Sequence, residues 1–109
     1  MAKREFLGEF ELLVMLAILR LGEQAYGMRI RQEIEARCER ETAIGAIYLT
    51  LERLEAKGFV ESTLGEATDV RGGRAKRYFK VNGSGREVVR RSLRAVGQLS
   101  EGVAIPEGL

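Results

Sequence analysis

The sequence contains no histidine and no tryptophan, and only one cysteine and one proline in 109 residues. Without histidine there are no His-based triads, histidine general bases or histidine-ligated metals. The single Cys38 cannot form an internal disulfide or a zinc cluster, and its helical context favours a small packed residue. No phosphate-binding loop and no Gly-x-Ser-x-Gly elbow is present. We therefore expect no catalytic residues, no metal, no cofactor and no enzyme activity.

Long uncharged apolar runs are also missing, since no window approaches the ~18 residues of a membrane span. The first residues lead into a helix that contains Glu9 and Glu11, so no signal peptide is expected. Hydrophobic residues make up 45% of the chain and charged residues 31%, the balance of a globular protein. These features predict one cytoplasmic domain without membrane contact.

The net charge of +2 hides a strong asymmetry along the chain. Residues 1–70 carry a balance of −4, whereas residues 71–94 hold nine basic side chains and one acid, Glu87. A compact basic block of this kind is an electrostatic footprint for a polyanion. A solvated basic face is the alternative interpretation.

The chain is organised around residues 42–60, which predict a helix that ends at Gly58. Thr42 is expected to cap its start. Six positions recur at the three- and four-residue spacing of one helical face. These positions, all apolar or aromatic except the last, are Ile44, Ile47, Tyr48, Leu51, Leu54 and Glu55.

The opposite face of this helix is expected to carry small, hydroxyl and basic side chains. Its members, with their flanking residues, are Thr42, Gly45, Ala46, Leu49, Thr50, Arg53, Ala56 and Lys57. Gly45 and Ala46 give up bulk, which suits close approach to a large partner such as the DNA major groove. The core helix of a small bundle is the alternative.

Two helices are predicted before this one. Residues 8–21 are apolar nearly all round, so a second subunit is expected to help bury them, and Gly22 ends the helix. A second helix begins near Ala25 or Tyr26, and a short polar turn then leads to Thr42. The second and third helices therefore predict a helix-turn-helix.

Residues 59–64 and 75–81 predict two strands. The glycine-rich connection between them, residues 65–74, predicts a hairpin tip with Arg71 and Arg74 beside its glycines. A basic hairpin after a recognition-type helix is typical of a wing that contacts phosphates. An ordinary charged loop is the alternative.

Ser84 and Glu87 fit a capping box at the start of a last helix. This helix carries apolar residues on one side and arginines on much of the rest, which predicts a dimerisation element packing with residues 8–21. The candidate dimer-interface residues are Phe10, Leu13, Val14, Leu16, Ala17, Val89, Leu93, Val96 and Leu99.

The order of these motifs resembles the PadR-type transcriptional regulators from about Leu7 to Leu99. The stretches that carry the resemblance are residues 8–13, 25–30, 47–60 and 71–79, in which a tyrosine-bearing third helix precedes a glycine/arginine wing. Many members have a proline after the helix tyrosine, where this chain has Leu49. The chain also has no separate effector domain and no tryptophan, which some drug-binding relatives use for stacking.

The resemblance implies a mainly helical fold with a small β-hairpin: a winged helix-turn-helix dimerised through its first and last helices. We expect a DNA-binding domain over residues 1–82, a dimerisation helix over 83–101 and a flexible tail over 102–109. The family usually represses transcription, and some relatives bind small hydrophobic effectors at the dimer interface. An effector of this chain, if it has one, is unknown.

We therefore expect a homodimeric repressor that binds double-stranded DNA at a palindromic operator. The candidate DNA-binding residues are Thr42, Gly45, Tyr48, Thr50, Arg53, Lys57, Arg71, Arg74 and Lys76. Arg53 is expected to read a guanine edge, while the lysines and wing arginines neutralise phosphates. Tyr48 is either a phosphate contact or a core residue. A winged-helix protein-interaction module and a non-specific architectural DNA binder are the alternative functions.

Overall fold

A computed structural model describes residues 5–65 and 75–105 of the chain. Four helices and one antiparallel hairpin make up the fold, as the sequence predicts. The helices are α1 (Glu9–Leu21), α2 (Gly27–Cys38), α3 (Ile44–Ala56) and α4 (Gly83–Ser100); the strands are β1 (Val60–Leu64) and β2 (Arg77–Val81). A short 3-10 turn, Gly22–Gln24, joins α1 to α2. This order, with the hairpin between α3 and α4, is a winged helix-turn-helix.

Helix α1 lies at the centre of the core, because its apolar residues extend around most of its circumference. Val14 and Met15 are fully buried and the neighbouring leucines are half-buried. The helix ends at Gly22, whose φ of 61° is a conformation that glycine adopts without strain. The largest fully buried side chains of the fold come from all four helices and β1: Val14, Met15, Ile30, Ile47, Leu51, Leu54, Val60 and Val88.

Helices α2 and α3 form the helix-turn-helix, and they approach closely where the ring of Tyr48 lies on Gly27. A Cβ atom at Gly27 would stand 2.5 Å from the ring carbon and hydroxyl oxygen of Tyr48. A side chain at the start of α2 would therefore displace the Tyr48 ring from this position. Cys38, which we expected to be packed, is instead exposed at the end of α2, because the chain turns away there through a left-handed Glu39.

The end of α3 is closed by Gly58, as predicted. The Gly58 N–H donates to the Glu55 carbonyl and the Phe59 N–H to the Leu54 carbonyl, both at 3.0 Å. With Gly58 at a φ of 82°, this is a Schellman motif. Phe59 and Val60 then turn inward and begin the first strand.

The hairpin pairs Val60 with Val81 and Leu64 with Arg77 in an antiparallel register. Its second strand has another neighbour, because the Phe79 N–H donates to the Ala25 carbonyl at 2.8 Å. Tyr26 and Tyr78 form an isolated bridge next to this bond, and their rings meet edge to face at 5.6 Å. The wing is therefore fixed to the segment before α2.

Helix α4 begins at Asn82, and the predicted capping box of Ser84 and Glu87 is wrong. The Asn82 carboxamide accepts from the Gly85 N–H at 2.8 Å and donates to the Gly58 carbonyl at 2.8 Å. It therefore caps α4 and holds the helix against the end of α3. Ser84 is exposed, and Glu87 pairs with Arg90 one turn later.

The two halves of α4 have different surroundings. Val88, Val89 and Ser92 are buried in the protomer, where the Ser92 hydroxyl accepts from the Leu7 N–H at 2.9 Å. Every residue from Leu93 to Ser100 is exposed. The radius of gyration, 15.8 Å, exceeds the about 13 Å of a compact domain of this length. The second half of α4 thus extends beyond the core.

Within residues 5–65 and 75–105, none of the helices has both the length and the apolar character needed to cross a bilayer.

Candidate nucleic-acid interface

The exposed face of α3 is the surface that the sequence predicted for DNA. Ile47, Leu51 and Leu54 hold the helix in the core, where each is at most 1% exposed. The exposed residues of α3 are Gly45, Ala46, Tyr48, Leu49, Glu52, Arg53, Glu55 and Ala56, so Glu55 does not belong to the buried face on which the sequence pattern placed it. Packing within the fold does not require a glycine at position 45, because a Cβ there would meet nothing within 4 Å. The first turns of α3 thus present a nearly bare backbone.

Two predicted DNA contacts lie inside the protein instead. Thr50 is 5% exposed and faces the core, because the buried face of α3 is wider than the apolar pattern alone indicates. Thr42 is 6% exposed, and its hydroxyl donates to the Arg40 carbonyl at 3.3 Å. It does not cap α3 either, since Ala43 occupies the N-cap position. Both threonines stabilise the fold from within, so neither is available to DNA.

Tyr48 is half-exposed, because one side of its ring covers Gly27 while the other faces solvent. Tyr48 is therefore a packing residue with an accessible edge, and a phosphate contact by its hydroxyl stays a prediction. Arg53, one turn further along, is exposed and makes no ion pair with any described residue. Its guanidinium can thus reach a ligand without breaking a contact.

Lys57 does not extend freely from the end of α3. Its ammonium donates to Glu11 Oε2 at 3.1 Å, and Glu11 Oε1 accepts from the Gly8 N–H at 3.0 Å. A second bridge joins α1 to the residues before α3, where Arg40 donates to Glu9 at 2.7 Å and covers the Phe10 ring. The carboxylates of Glu9 and Glu11, at the start of α1, therefore form ion pairs with Arg40 before α3 and with Lys57 at its C-terminal end.

Of the three predicted wing contacts, Lys76 lies within the described residues. Arg71 and Arg74 lie outside them. Lys76 is exposed, and its ammonium lies 4.2 Å from the centroid of the Tyr26 ring. This cation–π contact places a positive charge beside the start of α2, where β2 meets the connection of residues 65–74.

A further polar network, which the sequence analysis missed, connects α3 to the wing. The Ser62 hydroxyl donates to Glu55 Oε2 at 2.8 Å and accepts from Arg77 Nη1 at 3.1 Å. Arg77 therefore adds a second described cation, after Lys76, where the strands meet the connection of residues 65–74. The alternation of β2 indicated that Arg77 faces α3, because Arg77 lies on the same side of the strand as Phe79 and Val81, which pack inward.

The acidic residues of α2 are also paired rather than simply solvated. Arg37 and Arg20 donate to Glu33, and these contacts hold the pKa of Glu33 below its ordinary value. The Thr42 N–H and Arg31 do the same for the pKa of Glu35. Both carboxylates stabilise the helix-turn-helix from its outer side.

The carboxylate of Glu11 predicts an acid sensitivity of the fold. Its burial favours the neutral form, but the Gly8 N–H and Lys57, aided by the charge of Arg53, lower its pKa overall. A lowered folded-state pKa stabilises the protein above the unfolded value, near ~4.3 for glutamate, and this stability is lost as the pH falls through the folded value.

We expect Glu11→Gln to reduce the free energy of unfolding at neutral pH by roughly 1 kcal/mol, the contribution of one partly exposed charged hydrogen bond. The difference should shrink as the pH falls through the lowered pKa and vanish once Glu11 is protonated in both the folded and the unfolded state. Urea unfolding from neutral to acid pH measures this trend. Glu101→Gln is the control, because Glu101 is exposed and has no side-chain partner among the described residues; a constant Glu11 effect at all pH values would contradict the assignment.

The candidate dimer residues divide into three groups by their exposure. Val14, Ala17 and Val89 are at most 5% exposed within one protomer, so they belong to its own core and offer no surface to a partner. Phe10, Leu13 and Leu16 are half-buried on α1. By contrast, three residues on the second half of α4 are openly exposed: Leu93 at 46%, Val96 at 63% and Leu99 at 85%.

The described residues contain no group of three or more acidic, cysteine or histidine side chains that could hold a metal ion.

Comparison with known proteins bears on this arrangement. The model of the transcriptional regulator PadR-like family matches residues 15–91, which contain the helix-turn-helix, the hairpin and the first half of α4. The chain belongs to the PadR-like family of transcriptional regulators. The predicted family and winged-helix fold are thereby confirmed. No curated protein matches the sequence.

Solved PadR-like structures share the fold at low sequence identity. A PadR-like regulator from Bacillus cereus is 22% identical, with a TM-score of 0.70 and coverage of 86% of both chains. One from Eggerthella lenta is 25% identical, with a TM-score of 0.68 and coverage of 87% of this chain and 82% of the other. One from Clostridium difficile is 23% identical, with a TM-score of 0.67 and coverage of 85% and 95%.

Proposed function

We propose that this PadR-like protein is a homodimeric, sequence-specific DNA-binding repressor that acts in the cytoplasm on a palindromic operator. The observation that carries the proposal is the outer face of α3. This face combines the open backbone at Gly45 with the unpaired guanidinium of Arg53, and the core holds the helix firmly from behind. A helix of this shape fits the major groove of DNA.

The wing supports the same orientation. Lys76 and Arg77 lie where the hairpin strands meet the connection of residues 65–74; Lys76 is next to the start of α2, and Arg77 is linked through Ser62 to Glu55 near the end of α3. Cations on both sides of a groove-sized helix suit the two phosphate backbones that border the groove. We infer that the wing contacts backbone phosphates while α3 reads bases.

The exposed stripe on α4 supports a homodimer. Leu93, Val96 and Leu99 are spaced three residues apart, so they continue along one side of the helix. Val89, one turn earlier, is buried in the protomer's own core. A second copy packing on this stripe would extend the core across a two-fold axis, and the paired recognition helices would then read inverted half-sites.

Binding to DNA tests the function. Fluorescence anisotropy should show that the protein prefers duplexes from its own upstream intergenic region over scrambled duplexes, and that the preference persists at physiological salt. Equal binding to both, lost together as salt rises, would indicate only the electrostatic contribution and an architectural role. Repression is tested with a reporter placed behind the same intergenic DNA, whose expression should fall when the protein is present.

Two variants separate base reading from phosphate binding. Arg53→Ala should relax the preference at one base pair by roughly 1–3 kcal/mol. Lys76→Ala should weaken all duplexes alike and reduce the salt slope by about one. Affinities for a set of singly substituted operators at several salt concentrations measure both effects. Loss of discrimination in both variants to the same extent would contradict this division of roles.

A further inference from the structure

We infer that Leu49 is a specificity-determining residue that contacts the 5-methyl group of a thymine in the major groove. The inference rests on the proposed function, because it requires α3 to enter that groove. It assigns a ligand group to the most exposed large apolar side chain of the recognition helix, 57% exposed.

The position of Leu49 distinguishes it from ordinary exposed leucines. It lies in the middle of α3 and points outward, while Ile47 and Leu51 on the same helix are buried almost completely. No other described element covers it. Isolated exposed apolar residues are common on protein surfaces, but this one stands at the centre of the face that the fold leaves open for a partner.

The residues one turn before Leu49 have little bulk. Gly45 leaves open space where a side chain would be, and the fold itself does not require a glycine there. Ala46 is exposed and carries only a methyl group. The α3 backbone can therefore approach the groove floor at this turn, and Leu49 is the next side chain long enough to reach a base edge.

The chemistry of the face selects thymine. A leucine side chain can neither donate nor accept a hydrogen bond, so it can recognise only an apolar group. Among the base edges of the major groove, the thymine 5-methyl is that group. Arg53, four residues later on the same face, is suited to the acceptors of a neighbouring guanine. The apolar surface of Leu49 and the edge of Tyr48 is too small for a stable protein interface.

The experiment uses the full-length protein and a duplex that it binds selectively. Each thymine is replaced in turn by deoxyuridine, which removes the methyl group and keeps every hydrogen-bonding atom. Each half-site should contain one thymine whose replacement alone weakens binding about four-fold, the equivalent of burying one methyl group. Replacing this thymine in both half-sites of the same duplex should weaken binding about fifteen-fold.

Variants of Leu49 connect this methyl effect to the side chain. Leu49→Ala should bind the thymine and deoxyuridine duplexes equally, whereas Leu49→Met should retain a difference between them. Alanine favours the helical state, so folding should be preserved. Leu64→Ala is the matched control, because Leu64 is equally exposed but lies on β1; it should keep the full methyl effect.

The outcomes separate this inference from the proposed function. A selectively bound duplex that is indifferent to all of its thymine methyl groups overturns the role of Leu49 alone. So does a methyl effect that persists undiminished in Leu49→Ala. Absence of preference for any duplex, including the protein's own upstream DNA, overturns the proposed function and this inference together.

Discussion

Gly85→Ala is expected to destabilise the protein by about 3 kcal/mol or more, at the upper end of the cost of overpacking a core. A Cβ at this position would lie 2.2 Å from the Phe59 carbonyl oxygen, 2.7 Å from Val81 Cγ1 and 3.0 Å from Met15 Cε. The first of these is a backbone atom at the start of the wing, so a side-chain rotation cannot relieve the contact. To accept the methyl group, α4 would have to move away from the hairpin.

Gly97→Ala provides the matched control on the same helix. A Cβ there would meet nothing within 4 Å, and alanine is favoured over glycine in a helix by roughly 0.5–1 kcal/mol. We therefore expect a small gain in stability. Chemical unfolding monitored by circular dichroism gives both free energies. A Gly85→Ala protein as stable as the wild type would show that α4 is not packed against the hairpin as described.

The second large effect is expected from the exposed stripe on α4. The double substitution Val96→Glu with Leu99→Glu should abolish the proposed homodimer at micromolar protein concentration. Each protomer would place two carboxylates in an apolar contact. It would also lose the burial of Val96 and Leu99, and burying a valine or leucine side chain stabilises an interface by about 1.5–3 kcal/mol. The dimer dissociation constant should rise at least about a hundred-fold. Operator affinity should fall with it, because one protomer reads only one half-site.

Gln98→Glu is the control for this experiment. It adds a carboxylate to the same exposed half of α4 but lies outside the stripe of Leu93, Val96 and Leu99. Sedimentation equilibrium should therefore report a dimer for Gln98→Glu and a monomer for the double variant, each with an unchanged circular dichroism spectrum. An unchanged mass in the double variant would place the dimer contact elsewhere.

The helices and the hairpin could be predicted because their signals are local. Apolar periodicity placed α1, α3 and β1 within about two residues of their observed bounds, and Gly22 and Gly58 marked the ends of the two helices. Such features depend on residues close together in the chain. They can therefore be predicted without knowing how the elements pack.

Features that depend on distant residues could not be read in this way. The cap of α4 is an example: Ser84 and Glu87 matched a local motif, but Asn82 prevailed because it also reaches the Gly58 carbonyl, 24 residues earlier. The clash that forbids a side chain at Gly85 likewise arises from the facing Phe59 carbonyl.

The candidate site shows the same limit. An apolar stripe shows that residues avoid water, but not whether their own core or a second subunit covers them. Val14, Ala17 and Val89 were therefore assigned to a dimer interface, although they lie in the core of the protomer. On α3, hydroxyl side chains gave no sign of which way they face, so Thr50 was placed outside. Arg53 and Gly45 were placed on the outer face because they lie on the side of the helix opposite Ile47, Leu51 and Leu54.

The hydrogen bond between the Leu7 N–H and the Ser92 hydroxyl spans 85 positions of the sequence. Arg91 adds a second long-range contact by donating to the Glu5 carbonyl at 2.9 Å. During synthesis, the segment before α1 therefore has no partner until α4 has emerged. Contacts of such long separation form late and slow the completion of folding.

Helix α1 is affected most by this delay. It is made before α4, yet part of the surface that covers it lies on α4, around Val88 and Val89. Until α4 has been made, the apolar side chains of α1 face water or other growing chains, a state that favours aggregation. Truncation within α4 would thus also expose apolar side chains of α1, so the loss of one helix would promote aggregation through another.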